Sequence, residues 1–361
     1  MNGQYNRNPS GVVYTHEIKY PNGTINPTER KVIKRNLCID TLFRKNYDRT
    51  SSTNFVYTLP TSINNVISMS VSAVEFANAW YNYAEENQSN EFTITLYNVP
   101  TPSDCPQLIT DPSFQYPDVI QHVIKIPPGS YLSALFRDVV NNLFYNTRNG
   151  LEYLWFDIDE FSTRCSIRTK TTGDGNNNAE HQNDAIYSIK GDDFYFTVDF
   201  RVDSHEGRPL YRNAGWMMGF KQGFYEVRYK NPGMVNIIET DTIKTSNWCL
   251  ESESSYGSGI QNYVFLDIDD FNKNFSTNTL VANTANESYL GNTTMGRIAV
   301  STGMNTIITN NPGDMVFKRR EYFGPVKIEK LHIRLLNKFG EPVLMNGNDF
   351  SFVLEIEQLY S

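Results

Sequence analysis

The chain reads as an all-β protein: an antiparallel β-sandwich with one amphipathic helix and an extended N-terminal arm. Three observations carry that expectation. Near the C-terminus Ile328, Leu331, Ile333 and Leu335 lie mostly two apart, with Lys330, His332 and Arg334 between them. After turns at Asn337 to Pro342 and at Asn346-Gly347-Asn348, the alternation resumes with Phe350, Phe352, Leu354 and Ile356. Side chains on a strand point to opposite faces with period two, so these runs have one buried and one wet face. Similar short runs recur along the chain between turn signals, and a helical period shows clearly in one place.

Taken in order, residues 1 to 35 are polar, rich in Asn, Pro and Gly, and end in the basic run Arg30-Lys31-Val32-Ile33-Lys34-Arg35. They read as an arm, either disordered or laid along a neighbour. Residues 36 to 361 read as the sandwich domain. Phe55, Tyr57 and Leu59 alternate up to Pro60. A turn is expected over Thr61 to Asn65. A strand is expected from Val66 to Phe76, with Ile67, Met69, Val71 and Ala73 on one face and Ser68, Ser70 and Ser72 on the other. Glu91 to Leu96 is another strand, and Val99 to Asp118, with five prolines, is loop.

The helix follows. Pro127-Pro128-Gly129 stops the preceding strand and Ser130 can cap. Leu132, Leu135, Phe136, Val139, Val140, Leu143 and Phe144 then recur at helical spacing until Asn149-Gly150. Such a helix in a β protein is expected to cover an open end of the sandwich. Strand signals resume at Leu151 to Asp157, Arg164 to Thr169, Phe194 to Val202 and Val264 to Ile268, with a loop at Gly173 to Asn178. Gly215 to Phe220 is an apolar run bracketed by glycines and expected to be buried, while Met234 to Gly259 reads as a long excursion. Tyr153 to Phe161 (YLWFDIDEF) echoes Tyr263 to Phe271 (YVFLDIDDF). Duplication of a strand unit would mean two stacked sandwiches, the second from about residue 256. Strand convergence is the simpler source of the echo.

Composition narrows the function. Of 361 residues, 13% are aromatic and 20% charged, enough for a sizeable core. A net charge of −8 argues against a protein that coats nucleic acid. No apolar run is long enough to span a membrane as a helix, and the start has no signal-peptide core. Cys38, Cys105, Cys165 and Cys249 never form CxxC and read as reduced, buried thiols. The histidines are scattered, and no GxSxG, phosphate-binding loop or dinucleotide fingerprint is present. The chain is therefore expected to be no enzyme and to carry no cofactor.

One constellation could carry chemistry. Asp157 with Asp159, and Asp267 with Asp269, share strand faces, so four carboxylates would converge if their strands met. They would then suit a Ca²⁺ or Mg²⁺ site or a glycosidase acid–base pair, for which Glu251 and Glu253 are further candidates. The plainer reading is a solvated strand face. Aromatic side chains without an evident site, among them Tyr81, Tyr83, Tyr211, Tyr225 and Tyr229, suit packing against other proteins, or sugar stacking in a carbohydrate-binding or fibre protein.

Several segments together resemble the jelly-roll minor capsid and penton-type proteins of the nucleocytoplasmic large DNA viruses of algae and amoebae. They are Cys38-Ile39-Asp40-Thr41 through Phe43-Arg44, Phe55 to Pro60, Val66 to Phe76, Ile126 to Tyr131 (IPPGSY), Gly215 to Phe220, Tyr263 to Phe271, Arg297-Ile298 and Tyr322-Phe323-Gly324-Pro325. The resemblance implies a jelly-roll-like sandwich, with a double jelly roll as the alternative. It implies a virion shell component assembled in the host cytoplasm beside a major capsid protein and other minor capsid proteins, with the inner membrane surface as a further partner and no specific nucleic acid. It transfers no catalytic residue. A symmetric assembly is expected, either as a lattice-tying minor protein or as a penton subunit at the fivefold vertex. Lys31, Lys34, Arg35, Arg319, Arg320, Tyr322 and Phe323 are the expected partner contacts.

Overall fold

The computed structural model describes residues 32–85, 89–99, 116–170, 194–201, 209–228, 249–275, 292–300, 306–310 and 319–360, with short pieces at 6–8, 11–13, 174, 303 and 316–317. Strands β1 (Asn6–Asn8) and β2 (Gly11–Val13) pair with each other. The rest of the arm through Lys31, the loop over residues 100–115 and residues 229–248 lie outside the described residues. Then follow β3 (Val32–Asp40), β4 (Asn54–Ala77), β5 (Glu91–Tyr97), β6 (Val119–Lys125) and helix α1 (Ser133–Thr147). After them come β7 (Leu154–Ile158), β8 (Arg164–Thr169), β9 (Tyr195–Asp199), the single-turn α2 (Ala214–Met217), β10 (Phe224–Arg228) and β11 (Cys249–Ser255). The chain closes with β12 (Tyr263–Asp269), β13 (Thr294–Ala299), β14 (Ile307–Asn310), β15 (Val316–Phe317), β16 (Arg319–Leu336) and β17 (Phe350–Leu359).

The described pairings are antiparallel, and the fold class is the all-β sandwich that the alternation predicts. The buried side chains divide into two clusters. One is built from residues 39–80 and 264–356, the other from residues 83–250. The first belongs to a sheet ordered β15-β13-β12-β16-β4-β17-β3, with β14 on β4. In it the first strands of the chain interleave with the last. The second lies between a four-stranded sheet, β10-β9-β5-β6, and a three-stranded sheet, β11-β8-β7. The expected second sandwich from about 256 does not follow this division. Residues 264–356 share their core with 39–80, and the stretch with a core of its own lies in the middle of the chain.

Local corrections have physical causes. The expected turn at Thr61 to Asn65 is absent, and β4 runs unbroken for 24 residues. Thr58 opposes Lys330 and Ile63 opposes Ile328, so the extra residues are absorbed in a bulge around Pro60, which has no N–H to offer a ladder. Val66 opposes Val326 and Ser68 opposes Glu321, which puts Gly324-Pro325 in a second bulge on β16. On the other side of β4, Val71 opposes Leu354 and Ala73 opposes Val353. Ser72 is thus an extra residue, and Ala73 does not share the face of Met69 and Val71. The Met234 to Gly259 excursion contains a strand, β11 on β8.

Helix α1 buries Phe136, Val140 and Phe144, one residue per turn, while Leu132 and Leu135 of the same apolar stripe stand exposed. Rather than closing an open end, it lies along the edge of β7. The Asn141 side chain donates to the Phe156 carbonyl and accepts from the Phe156 N–H, each at 2.8 Å. An unpaired strand edge is covered in this way. Ser130 does not cap the helix, whose N-cap position is Leu132. Its hydroxyl accepts from the Asn82 N–H (3.0 Å) and donates to the Trp80 carbonyl (3.1 Å), tying the helix entry to the segment that joins the two cores.

The cores meet through the β16–β17 connection. The Tyr211 ring stacks on Phe339 with centroids 5.4 Å apart, Arg212 pairs with Glu341 at 2.6 Å, and Lys338 donates to the Gly259 carbonyl at 2.8 Å.

Candidate interaction surface

Strand alternation at the start of β16 sorts the expected contact residues. Arg319, Glu321 and Phe323 point outward, and Arg320 and Tyr322 point inward. Cross-strand register then extends the pattern over four strands. Glu321 opposes Ser68, Ser68 opposes Glu357, and Glu357 opposes Lys34. One row over, Arg319 opposes Ser70, Ser70 opposes Glu355, and Glu355 opposes Asn36. Directly opposed residues share a face, so one polar row crosses β16, β4, β17 and β3, exposed at Arg319, Glu321 and Lys34 and buried at Ser68 and Glu357 in its middle.

That surface is laced with charge. Lys34 Nζ lies 2.9 Å from Glu355 and 3.3 Å from Glu357. The Ser68 hydroxyl donates to Glu357 at 2.9 Å, and Arg319 pairs with Glu357 and, at 3.3 Å, with Glu321. Partial burial works to raise the Glu357 carboxyl, but the hydrogen bonds from Ser68 and Lys34 and the Arg319 and Lys34 charges outweigh it and hold the carboxyl below its ordinary range. The hydrogen bonds that Lys34 donates to Glu355 and Glu357 hold its ammonium above its usual range. A carboxylate depressed in the folded state gives stability that is present above its unfolded value and is lost as pH falls through the folded value. The urea midpoint of the native protein is therefore expected to fall more between pH 6 and pH 3 than that of Glu357→Gln. Equal pH dependence in the two proteins would refute the linkage.

The inward residues do other work. Arg320 is 4% exposed. It donates to Asp270 (2.8 Å), to the Ile268 carbonyl (2.8 Å) and to the Thr293 carbonyl (3.0 Å), with its guanidinium 4.5 Å from the Phe275 ring centroid. Tyr322 donates its hydroxyl to Asp270, and burial followed by the Asp270 charge pushes its ionisation well up. Both were expected at a partner surface. Both are instead internal braces, on the inward parity of β16 that Ile328 also occupies. Phe323 is 77% exposed, Arg35 is exposed on β3, and Lys31 lies outside the described residues. Strand β3 closes the order of the large sheet, so this surface ends at the edge that carries Lys34 and Arg35.

The four aspartates are placed separately. Asp267 is fully buried on β12, where it accepts from Arg334 (2.7 and 2.9 Å) and Thr293 (2.7 Å). Asp269 accepts from the Phe271 N–H at 2.8 Å. Asp157 and Asp159 belong to β7 and its following turn, in the other core's three-stranded sheet. There Asp157 faces Arg168 at 3.7 Å, and Asp159 accepts from Phe161 N–H, Ser162 N–H and the Ser162 hydroxyl, which hold it below the usual carboxylate range. Glu251 pairs with Arg164 at 3.3 Å, and Glu253 accepts from the Tyr225 hydroxyl. Among the described residues no group of three His, Cys, Asp or Glu side chains is placed to hold a metal ion.

Of the tyrosines that might have formed a sugar platform, Tyr83 and Tyr225 are buried. Cys38 is exposed on β3, unlike the buried thiol expected there, whereas Cys165 is buried and desolvation pushes its thiol well up. Sequence reasoning missed Ser68, Glu355 and Glu357. Their signal was present, since Glu355 and Glu357 alternate with Leu354 and Ile356, although Glu357 is buried on the face that the alternation reads as wet.

Fold and surface together define a class: an all-β, antiparallel sandwich protein with an ion-paired sheet face and edge. No family model and no curated protein matches the chain. Among solved structures, it is similar to the penton protein of mavirus, with a TM-score of 0.41 and 10% identity over 91% of this chain and 100% of that one. It is also similar to a chain of the Sputnik virophage structure, with a TM-score of 0.39 and 13% identity over 91% of this chain and 98% of that one.

Proposed function

We propose that this chain is a structural component of an icosahedral viral capsid. In this reading it is a minor capsid protein that ties major-capsid capsomers to one another or to the inner layer. Its partners are the major capsid protein, other minor capsid proteins and the inner membrane surface, and it reaches the virion by assembly in the host cytoplasm. The observation that carries the reading is the β16-β4-β17-β3 face. There the side chains that line up across four strands are polar, and Arg319, Glu321, Ser68, Glu357, Glu355 and Lys34 are joined by ion pairs and hydrogen bonds, ending at an edge strand that carries Lys34 and Arg35. Such a face gives orientation and partner choice rather than chemistry. The ordered segments that resemble minor capsid and penton-type proteins support it, since Val66–Phe76, Gly215–Phe220 and Tyr263–Phe271 all supply buried core residues. We further read the chain as two packed sandwiches, the middle one inserted into the other.

Quantitative mass spectrometry of gradient-purified particles tests this. The chain is expected at a constant ratio to the major capsid protein across the particle peak, and a stoichiometry of one fivefold set per vertex would select the penton position. Its absence from the particle peak would remove the proposal.

A further inference from the structure

Three large apolar side chains on the middle unit are left in solvent: Phe161 at 96% exposure, Leu132 at 70% and Leu135 at 55%. Scattered exposed hydrophobes are ordinary, but these belong to one place. Asn141 is clamped to Phe156, and Arg137 lies 4.0 Å from Asp157. The helix therefore runs antiparallel to β7, and its first turn lies beside the turn that follows β7. Tyr256 completes the link, donating its N–H to the Thr163 carbonyl (2.7 Å) and its hydroxyl to the Tyr131 carbonyl (3.0 Å). Helix entry and β7–β8 turn thus sit at the same end of the unit.

The turn is built to hold Phe161 outward. One oxygen of Asp159 accepts from Phe161 N–H (3.2 Å), Ser162 N–H (2.7 Å) and the Ser162 hydroxyl (2.7 Å). The backbone that carries the ring is fixed in this way, so less of the chain has to be ordered on binding. The surrounding charge is mostly acidic, with Asp138, Asp157, Asp159, Glu160 and Glu251 against Arg137, Arg164 and Arg168. Anionic lipid would be repelled by that rim, which leaves a protein.

We propose that Phe161, Leu132 and Leu135 form a docking point for a protein surface offering an apolar socket rimmed by lysine or arginine. The inference rests on the capsid reading, in which that surface belongs to a capsomer of the major shell protein. The test is equilibrium binding of the full chain to purified capsomers at low and high salt, with liposomes containing phosphatidylserine as a control. Phe161→Ser should weaken capsomer binding by at least about tenfold, with its thermal midpoint unchanged because the side chain touches little. Glu160→Lys should weaken it most at low salt. Wild-type affinity in Phe161→Ser would overturn the inference, as would loss of liposome rather than capsomer binding in that variant. Should the chain be present in particles yet fail to bind capsomers, the docking point falls and the capsid reading stands. Should it be absent from particles, the capsid reading itself falls.

Discussion

Asp270→Ala is expected to destabilise the outer core by about 3–5 kcal/mol, the cost of leaving a buried charge without its partner. Asp270 is the shared acceptor of Arg320, Tyr322 and Asn272, and neither its side chain nor that of Arg320 is more than 3% exposed. Removing it strands a guanidinium whose other bonds reach the Ile268 and Thr293 carbonyls at the end of β12 and the start of β13. β16 supplies the arginine for both buried carboxylates of this region, Arg320 for Asp270 and Arg334 for Asp267. The loss should therefore loosen β12 from β16 and β13 together. The double replacement Asp270→Leu with Arg320→Met should cost clearly less than the single one, since it removes both charges. Urea unfolding of the three proteins decides this. A single-mutant loss below about 1 kcal/mol, typical of an exposed pair, would show that the cluster is solvated.

The second large effect is at Gly219. Its φ of +94° lies where an L side chain is strained, and an added Cβ would stand 2.1 Å from the Ser254 carbonyl oxygen and 2.8 Å from the carbon. Those are backbone atoms of β11, held in place because Ser254 donates its N–H to the Gly219 carbonyl at 3.0 Å. Strain of about 1–2 kcal/mol for the left-handed backbone adds to about 1–3 kcal/mol for overpacking. Gly219→Ala should thus lower the thermal midpoint of the middle unit sharply. Gly347→Ala is the control, with φ of +78° but nothing within 4 Å of the new Cβ, so it should bear the strain alone. Equal losses at the two positions would mean that the contact with β11 is not tight.

Much of this was legible in the sequence, and the rest was hidden for definite reasons. The burial of Gly215 to Phe220 was visible as an apolar run between glycines, and the turn chemistry of β11 against Gly219 explains why glycine stands there. Alternation located Ile333, Leu335, Phe352 and Ile356 in the core because it runs undisturbed through them. Arg320 and Tyr322, named for a partner by their place just before the alternating run rather than by period, share the inward parity of Ile328. The echo of Tyr153–Phe161 in Tyr263–Phe271 was real at the level of local structure. Asp159 and Asp269 both accept the N–H two residues on, from Phe161 and Phe271, at the end of a strand. Yet Asp157 is half-exposed and Asp267 is buried, because β7 borders a helix while β12 lies between two strands. The split into two cores depends on pairings between residues some 280 to 320 positions apart, such as Leu37 with Leu354, and no local pattern announces them.

The most direct test of the capsid assignment is a cryo-electron reconstruction of the assembled particle. The account predicts density for this chain in the shell, with capsomer contacts on the β16-β4-β17-β3 face or its Lys34–Arg35 edge and at Phe161. A shell fully accounted for by other chains, with no density for these two sandwiches, would contradict it.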